Sequence, residues 1–290
     1  MNAVELNNVS KHYEDFSLSD INLEIPKGYI MGLIGPNGAG KTTLINIIMN
    51  NIKADDGSIK VFDSSYEDNE LQIKAHIGFV YDEIGLYGDE KLKNLKKMIA
   101  PFYSEWDETK FNDYIKQFSL PLNKKLNQLS KGMRMKFALA LALSHNADLL
   151  ILDEPTSGLD PVFRRDFLDI LREILMNEEK TILISSHITS ELDNIADYVT
   201  FINNGEIIIN DDKDYVLESY FIVKGPVLRA QDDEIKGHVI GIRKTDIGFE
   251  GLIRRKDYEK LQNIGDLAIE KPTLDDILFH YNKESGGKAC

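Results

Sequence analysis

The sequence predicts an α/β fold centred on a parallel sheet, with a small α+β unit appended after it. Near-continuous apolar runs at Tyr29–Ile34, Leu149–Leu152 and Thr181–Ser185 suit strands covered on both faces, as in a parallel sheet. The first run leads into a glycine-rich loop and then a second apolar run, Leu44–Met49, which reads as a buried helix. After Asp211-Asp212 the texture changes to short β-like segments, which predicts the appended unit.

The remaining elements follow in order. Val4–Val9 and Ile21–Ile25 alternate apolar with polar and read as antiparallel strands joined around Tyr13–Asp20. Asp55-Asp56-Gly57-Ser58 reads as a turn, followed by short strands at Ile59–Phe62 and Ile77–Tyr81. From Glu90 to about Ala147 the pattern is helical, with Leu92, Leu95, Met98 and Ile99, then Phe111, Tyr114, Ile115 and Phe118, at helical spacing. Pro161–Asn177 reads as an amphipathic helix with Phe167, Ile170, Leu171 and Ile174 inward. Asn203-Asn204-Gly205 splits a hairpin. Short strands are expected at Tyr220–Val223, Val239–Arg243, Phe249–Arg254 and Leu267–Ile269, and a last helix opens at Thr273-Leu274-Asp275-Asp276. The expected division is a main domain over 1–212, with a helical subdomain at about 83–147, and a small accessory domain over 213–290 with a flexible tail.

Composition narrows the function classes. The 290 residues are 42% hydrophobic, enough for a full core and a second small unit. Met1–Ser10 has no basic start and no apolar core, so no secretory signal is expected. The most apolar stretch, Phe137–Leu143, is far shorter than a membrane span. The single cysteine, Cys290, excludes an intrachain disulfide and fits a reducing cytoplasm. A net charge of −14 argues against a nucleic-acid partner. It suits general solubility, or the basic cytoplasmic loops of a membrane protein.

Gly35-Pro36-Asn37-Gly38-Ala39-Gly40-Lys41-Thr42-Thr43 has the spacing of a phosphate-binding loop and implies a nucleoside triphosphate. Glycines let the backbone curl so that successive N–H groups face the phosphates, and the following helix adds its positive end. Lys41 supplies a charge for the β- and γ-phosphates, and Thr42 a hydroxyl for Mg²⁺. The run Leu149-Leu150-Ile151-Leu152-Asp153-Glu154 is a buried strand ending in two carboxylates. Asp153 is placed to hold Mg²⁺ through water, and Glu154 to orient and deprotonate the attacking water. The core is therefore expected to be a RecA-like P-loop NTPase.

These motifs, in this order, resemble the ABC-type ATPases over roughly residues 1–210. Leu129-Ser130-Lys131-Gly132-Met133 resembles the signature motif of that family, usually Leu-Ser-Gly-Gly-Gln. Asp153-Glu154-Pro155-Thr156-Ser157-Gly158-Leu159-Asp160 resembles its acidic strand end and the following D-loop, and His187 its switch histidine. Tyr13 lies where the family places an aromatic on adenine. The resemblance implies catalytic roles for Glu154, His187 and Lys41. It implies nucleotide contacts from Tyr13, Asn37, Gly38, Ala39, Gly40, Lys41, Thr42, Thr43, Ser130, Gly132 and Asp160. Mg²⁺ would be held by Thr42, Asp153 and Asp82. The chain departs from the family in two places. Lys131 and Met133 replace Gly and Gln in the signature, and Asp82-Glu83 stands where a glutamine is usual. Asp82 still offers a hard oxygen ligand, but it is shorter and charged.

In this family two cassettes meet head to tail, each ATP lying between the P-loop of one and the signature of the other. The resemblance therefore implies a second ATPase subunit, identical or related, and a separate transmembrane subunit. The chain would sit at the cytoplasmic face of the membrane. Among such proteins it looks most like exporter-type subunits, in particular the Pmt group, which exports amphipathic phenol-soluble modulin peptides. The alternatives are a soluble ATPase of the same family and a nucleotide-gated regulator with negligible turnover. The expected cofactors are ATP and Mg²⁺.

Overall fold

A computed structural model describes residues 1–80, 88–178, 180–284 and 286, with the side chains at 177, 178 and 234 left aside. Along the chain come β1 (Asn2–His12), β2 (Ser17–Pro26), β3 (Ile30–Ile34), α1 (Lys41–Ile48), β4 (Asp56–Val61), β5 (Ser64–Ser65), α2 (Tyr66–Ala75) and β6 (Ile77–Val80). Next are α3 (Leu92–Ile99), α4 (Glu108–Gln117), α5 (Lys131–Leu143), β7 (Leu149–Asp153), α6 (Pro161–Glu178), β8 (Thr181–Ser186) and α7 (Thr189–Ile195). The last part holds β9 (Tyr198–Asn203), β10 (Glu206–Asp212), α8 (Lys213–Ser219), β11 (Tyr220–Gly225), α9 (Asp233–Lys236), β12 (Val239–Lys244), β13 (Phe249–Arg254), α10 (Arg255–Leu261), β14 (Ala268–Glu270) and α11 (Leu274–Glu284).

Three sheets result. The central one has the order β10-β9-β3-β8-β7-β6 and is parallel except for the β9–β10 hairpin. Its strands are apolar throughout because alternate residues enter two different cores. Met31, Leu33, Leu149, Ile151 and Leu183 face α1 and the antiparallel sheet β2-β1-β4-β5. Ile30, Ile34, Leu150, Leu152, Ile182 and Ile184 face the helical side, with α5, α6 and α7. The P-loop leaves the carboxyl end of β3, inside this sheet, where ligands of parallel α/β sheets are bound.

The third sheet, β12-β13-β11-β14, is antiparallel. One face carries its own small core around Val223, Phe249, Ile253 and Leu261. On the other, Ile222 and Leu252, with Leu274, Ile277 and Leu278 of α11, join the main helical-side core. The third sheet and α11 are thus packed onto the helical side of the central sheet, and Thr189 Oγ1 at the start of α7 donates to Asp275 Oδ1 of α11 at 3.0 Å.

Several local expectations are corrected. Asp56–Ser58 is strand rather than turn, and the reversal falls at Phe62 and Asp63, both with positive φ. Helix α2 was not expected, because its apolar residues have no helical period: only Ile73 is buried, and Leu71 lies exposed. Helices α7, α8 and α10 are seven residues each, too short to show a period, and were also unforeseen. Ile170 is half-buried, whereas Phe167, Leu171 and Ile174 are buried as expected. The apolar run Phe137–Leu143 is buried all round as the second half of α5, and no described helix is long and apolar enough to cross a membrane. Tyr81, Asp82, Glu83 and Cys290 lie outside the described residues.

Candidate functional site

The P-loop is built by backbone constraints that side chains would violate. A Cβ at Gly35 would stand 2.3 Å from the carbonyl oxygen of Ile202. Gly40 has φ 109° and precedes α1; a Cβ there would strike Phe16 and Leu18. Gly38, φ 81°, has open space around it and is exposed with Asn37, so this stretch of backbone is accessible to a ligand. The loop is pinned from behind by Gly205 N–H, which donates to Ala39 O at 3.1 Å.

Lys41 is 6% exposed and sits under the loop. Its Nζ donates to Gly35 O at 2.7 Å and Pro36 O at 3.2 Å, and lies 3.2 Å from Glu154 Oε1. Thr42 and Thr43 are in the first turn of α1, Thr42 exposed and Thr43 half-buried. Asp153 ends β7 and is buried, and its Oδ1 accepts from Ser185 Oγ at 2.6 Å. The same hydroxyl accepts the backbone N–H of Glu154 at 2.9 Å. Glu154 has φ 48°, a left-handed conformation uncommon for a residue with a side chain. Its other oxygen, Oε2, accepts from His187 Nδ1–H at 2.7 Å. Lys41, Asp153, Glu154 and His187, from three segments, are thereby brought to one end of the sheet.

Tyr13 lies at the β1–β2 tip, 44% exposed, with its ring stacked towards Phe16 at 6.5 Å. Phe16 borders Gly40, so the hairpin tip flanks the P-loop, and Lys11 Nζ lies over the Tyr13 ring at 5.9 Å from its centroid.

Ser130, Gly132 and Asp160 form a second group. Ser130 caps α5, its Oγ accepting Met133 N–H at 3.2 Å. A Cβ on Gly132 would lie 2.8 Å from the Phe163 ring of α6, so this glycine is required for close packing of α5 on α6. Asp160 Oδ1 accepts from Val162 and Phe163 N–H at 3.1 and 3.0 Å, capping α6. Asp82 lies outside the described residues.

Sequence reasoning missed the scaffold behind His187. Glu191 is 3% exposed. Its Oε2 accepts from Thr156 Oγ1 at 2.5 Å and Ser186 Oγ at 3.3 Å, and its Oε1 lies 3.0 Å from Arg164 Nε. One buried carboxylate thus ties the segment after Glu154, the strand end before His187, and α6. The only hint in the sequence was Ser185-Ser186 closing an apolar strand; a glutamate in a short helix reads as solvent-facing.

Among the described residues no group of three or more His, Cys, Asp or Glu side chains could hold a metal ion.

The chain is similar to known proteins over most of its length. A family model described as ABC transporter matches residues 18–157. The ABC transporter ATP-binding protein YtrB of Bacillus subtilis (strain 168) is 30% identical over 266 residues, covering 89% of this chain and 88% of the relative. The lantibiotic transport ATP-binding protein SrtF of Streptococcus pyogenes is 33% identical over 213 residues, 73% of this chain and 91% of the relative. A solved ATP-binding cassette, dimeric and in a post-hydrolysis state with ADP and Pi, matches with a TM-score of 0.64 at 25% identity, covering 72% of this chain and 98% of that one. With a phosphate loop, an acidic strand end and a histidine gathered in one place, and with these likenesses over most of its length, the chain belongs to the ABC transporter ATP-binding proteins, the ATPase subunits of ABC transporters.

Proposed function

We propose that this chain pairs with a second ATPase subunit around two ATP molecules and drives export of an amphipathic peptide through a separate membrane subunit, from the cytoplasmic face. The observation that carries the ATPase part is the Lys41–Glu154–His187 cluster under the P-loop. The peptide cargo rests on the likeness to a lantibiotic transport protein.

In this reading Lys41 binds the β- and γ-phosphates while the N–H groups from Asn37 to Thr43 wrap them, and Tyr13 stacks on the adenine. The Lys41–Glu154 contact is a semi-buried ion pair, so phosphate competes with Glu154 for Lys41 and frees that carboxylate oxygen to take a proton from water. His187, with Nδ1 on Glu154, donates to the γ-phosphate from Nε2 when both ring nitrogens carry a proton. Ser130, an exposed N-cap, and Gly132 would meet the ATP held by the other subunit. Asp160 uses Oδ1 to cap α6, which leaves Oδ2 for contact across the pair. Thr42 and Asp153 fit Mg²⁺, which usually takes one or two protein oxygens with phosphate and water. Asp153 keeps Oδ2 free of the Ser185 bond. Mg²⁺ bound there would neutralise charge on the phosphates.

Purification of the tagged chain from membranes of its own host tests this reading. A polytopic membrane protein is expected to come with it, and amphipathic peptides are expected to raise ATP turnover of the complex. If the chain leaves the membrane fraction alone, the transporter coupling is wrong.

A further inference from the structure

The appended unit holds an opening that the ATPase site does not use. A cleft of about 640 Å³ lies between the end of α9, the start of β12, α10 and the C-terminal half of α11. Its size is that of sites that hold small metabolites. An adjoining hollow shares Lys236, Val239 and Glu284 with it and adds Lys244 and Lys283.

The cleft is cationic in a chain whose net charge is −14. Lys236, Arg254, Lys256 and Lys260 line it against two carboxylates, Asp257 and Glu284. Both carboxylates are already engaged. Asp257 is 6% exposed and takes His238 Nδ1–H at 2.8 Å, with Lys260 Nζ at 3.6 Å. Glu284 Oε2 accepts the backbone N–H of Gly241 at 2.7 Å. Arg254 is bonded to Tyr281. Lys236 and Lys256 have no ion pair among the described residues. They stand on two different helices at the rim of one cleft, where two uncompensated like charges repel and an anion between them would relieve the repulsion. Val239, Ile240 and Tyr281 supply an apolar wall for the body of a ligand. A multiply charged headgroup gains from several lysines acting as point charges.

We propose that this cleft binds a phosphate-bearing ligand, either a soluble phosphorylated metabolite or the headgroup of an anionic phospholipid, at a place separate from the P-loop. The position gives such binding a route to the ATPase. Helix α11 carries Tyr281 and Glu284 at the cleft, and towards its other end, roughly 9 to 14 Å away along the axis, Asp275 holds Thr189, two residues after His187. That route rests on the role given above to His187; binding at the cleft does not.

Pyrophosphate titrated calorimetrically into the full chain tests the site, with the P-loop first saturated by a non-hydrolysable ATP analogue and Mg²⁺. A second arm sediments the chain with phosphatidylcholine vesicles, with and without phosphatidylglycerol. Saturable binding in at least one arm is expected, weakened at least about tenfold in the Lys236→Ala/Lys256→Ala variant. Affinity for the ATP analogue should be unchanged in that variant, which shows that both lysines can be removed without unfolding the protein. Binding of pyrophosphate assigns a soluble ligand; lysine-dependent binding to the anionic vesicles alone assigns a headgroup. The proposal is overturned if neither probe binds, or if the variant binds as tightly as the parent chain.

Discussion

Lys41 Nζ lies 3.2 Å from Glu154 Oε1, so the cation of the phosphate loop and the carboxylate at the end of β7 are direct partners. Glu154 is held for this by an unusual backbone conformation, by Ser185 at its N–H and by His187 at its second oxygen. A side chain restrained from three directions is suited to aim one oxygen at a water beside the phosphates.

Replacing Glu154 with Gln keeps the shape and removes the base. ATP turnover is expected to fall by about 10² or more while ATP still binds and paired subunits accumulate. Phosphate release at the parent rate would show that another group takes the proton.

Lys41→Ala deletes a charge-assisted contact to phosphate. Such contacts contribute about 1.5–3 kcal/mol, so ATP affinity should drop roughly 10- to 100-fold in a calorimetric titration. Parent-like affinity would remove Lys41 from the binding site.

Tyr13→Ala should weaken ATP binding roughly tenfold, since base stacking on an aromatic is worth about 1–3 kcal/mol. Tyr13→Phe should restore it, because the ring and not the hydroxyl is used. Equal affinity in the Ala and parent proteins would place the adenine elsewhere.

Glu191→Ala strips the carboxylate from the half-buried Arg164 and leaves the buried Thr156 hydroxyl without its acceptor. The expected cost is about 3 kcal/mol, at the low end of the range for such pairs because Arg164 keeps some access to water. Urea midpoints measure it. A loss below about 1 kcal/mol, the level of an exposed pair, would mean that the network adds little to stability.

Acid should destabilise the fold through two histidines. Burial pushes the pKa of His145 below its ordinary 6.5, against the pull of the Ile77 and Leu141 carbonyls, and burial does the same to His280. Below pH 6.5 the unfolded chain therefore binds protons that the folded chain resists, so this contribution is complete above 6.5 and declines as the pH falls. Urea midpoints should be lower at about pH 5.5 than at about pH 7.5, and a His145→Asn/His280→Asn variant should show a smaller difference. An identical pH response in that variant would assign the effect to carboxylates.

The local backbone patterns around the site were legible from residue order alone. The loop from Gly35 to Thr43, the apolar strand ending at Asp153 and Glu154, and the hairpin split at Gly205 are short-range patterns. Each is imposed by backbone geometry within a few residues, so sequence by itself determined them. Only the tertiary structure decided which distant side chains meet. Thr156 and Glu191 are 35 positions apart and share one buried hydrogen bond. Gly132 is small because Phe163 of another helix presses on it, and Asp160 turned out to cap its own helix. The alternation of β3, β7 and β8 between two cores, and the seating of α11 beside α7, likewise appear only once the layers are stacked. The physical reason is that strand and helix periods are set locally, whereas burial of a polar group is tolerated only where packing brings it a partner from elsewhere in the chain.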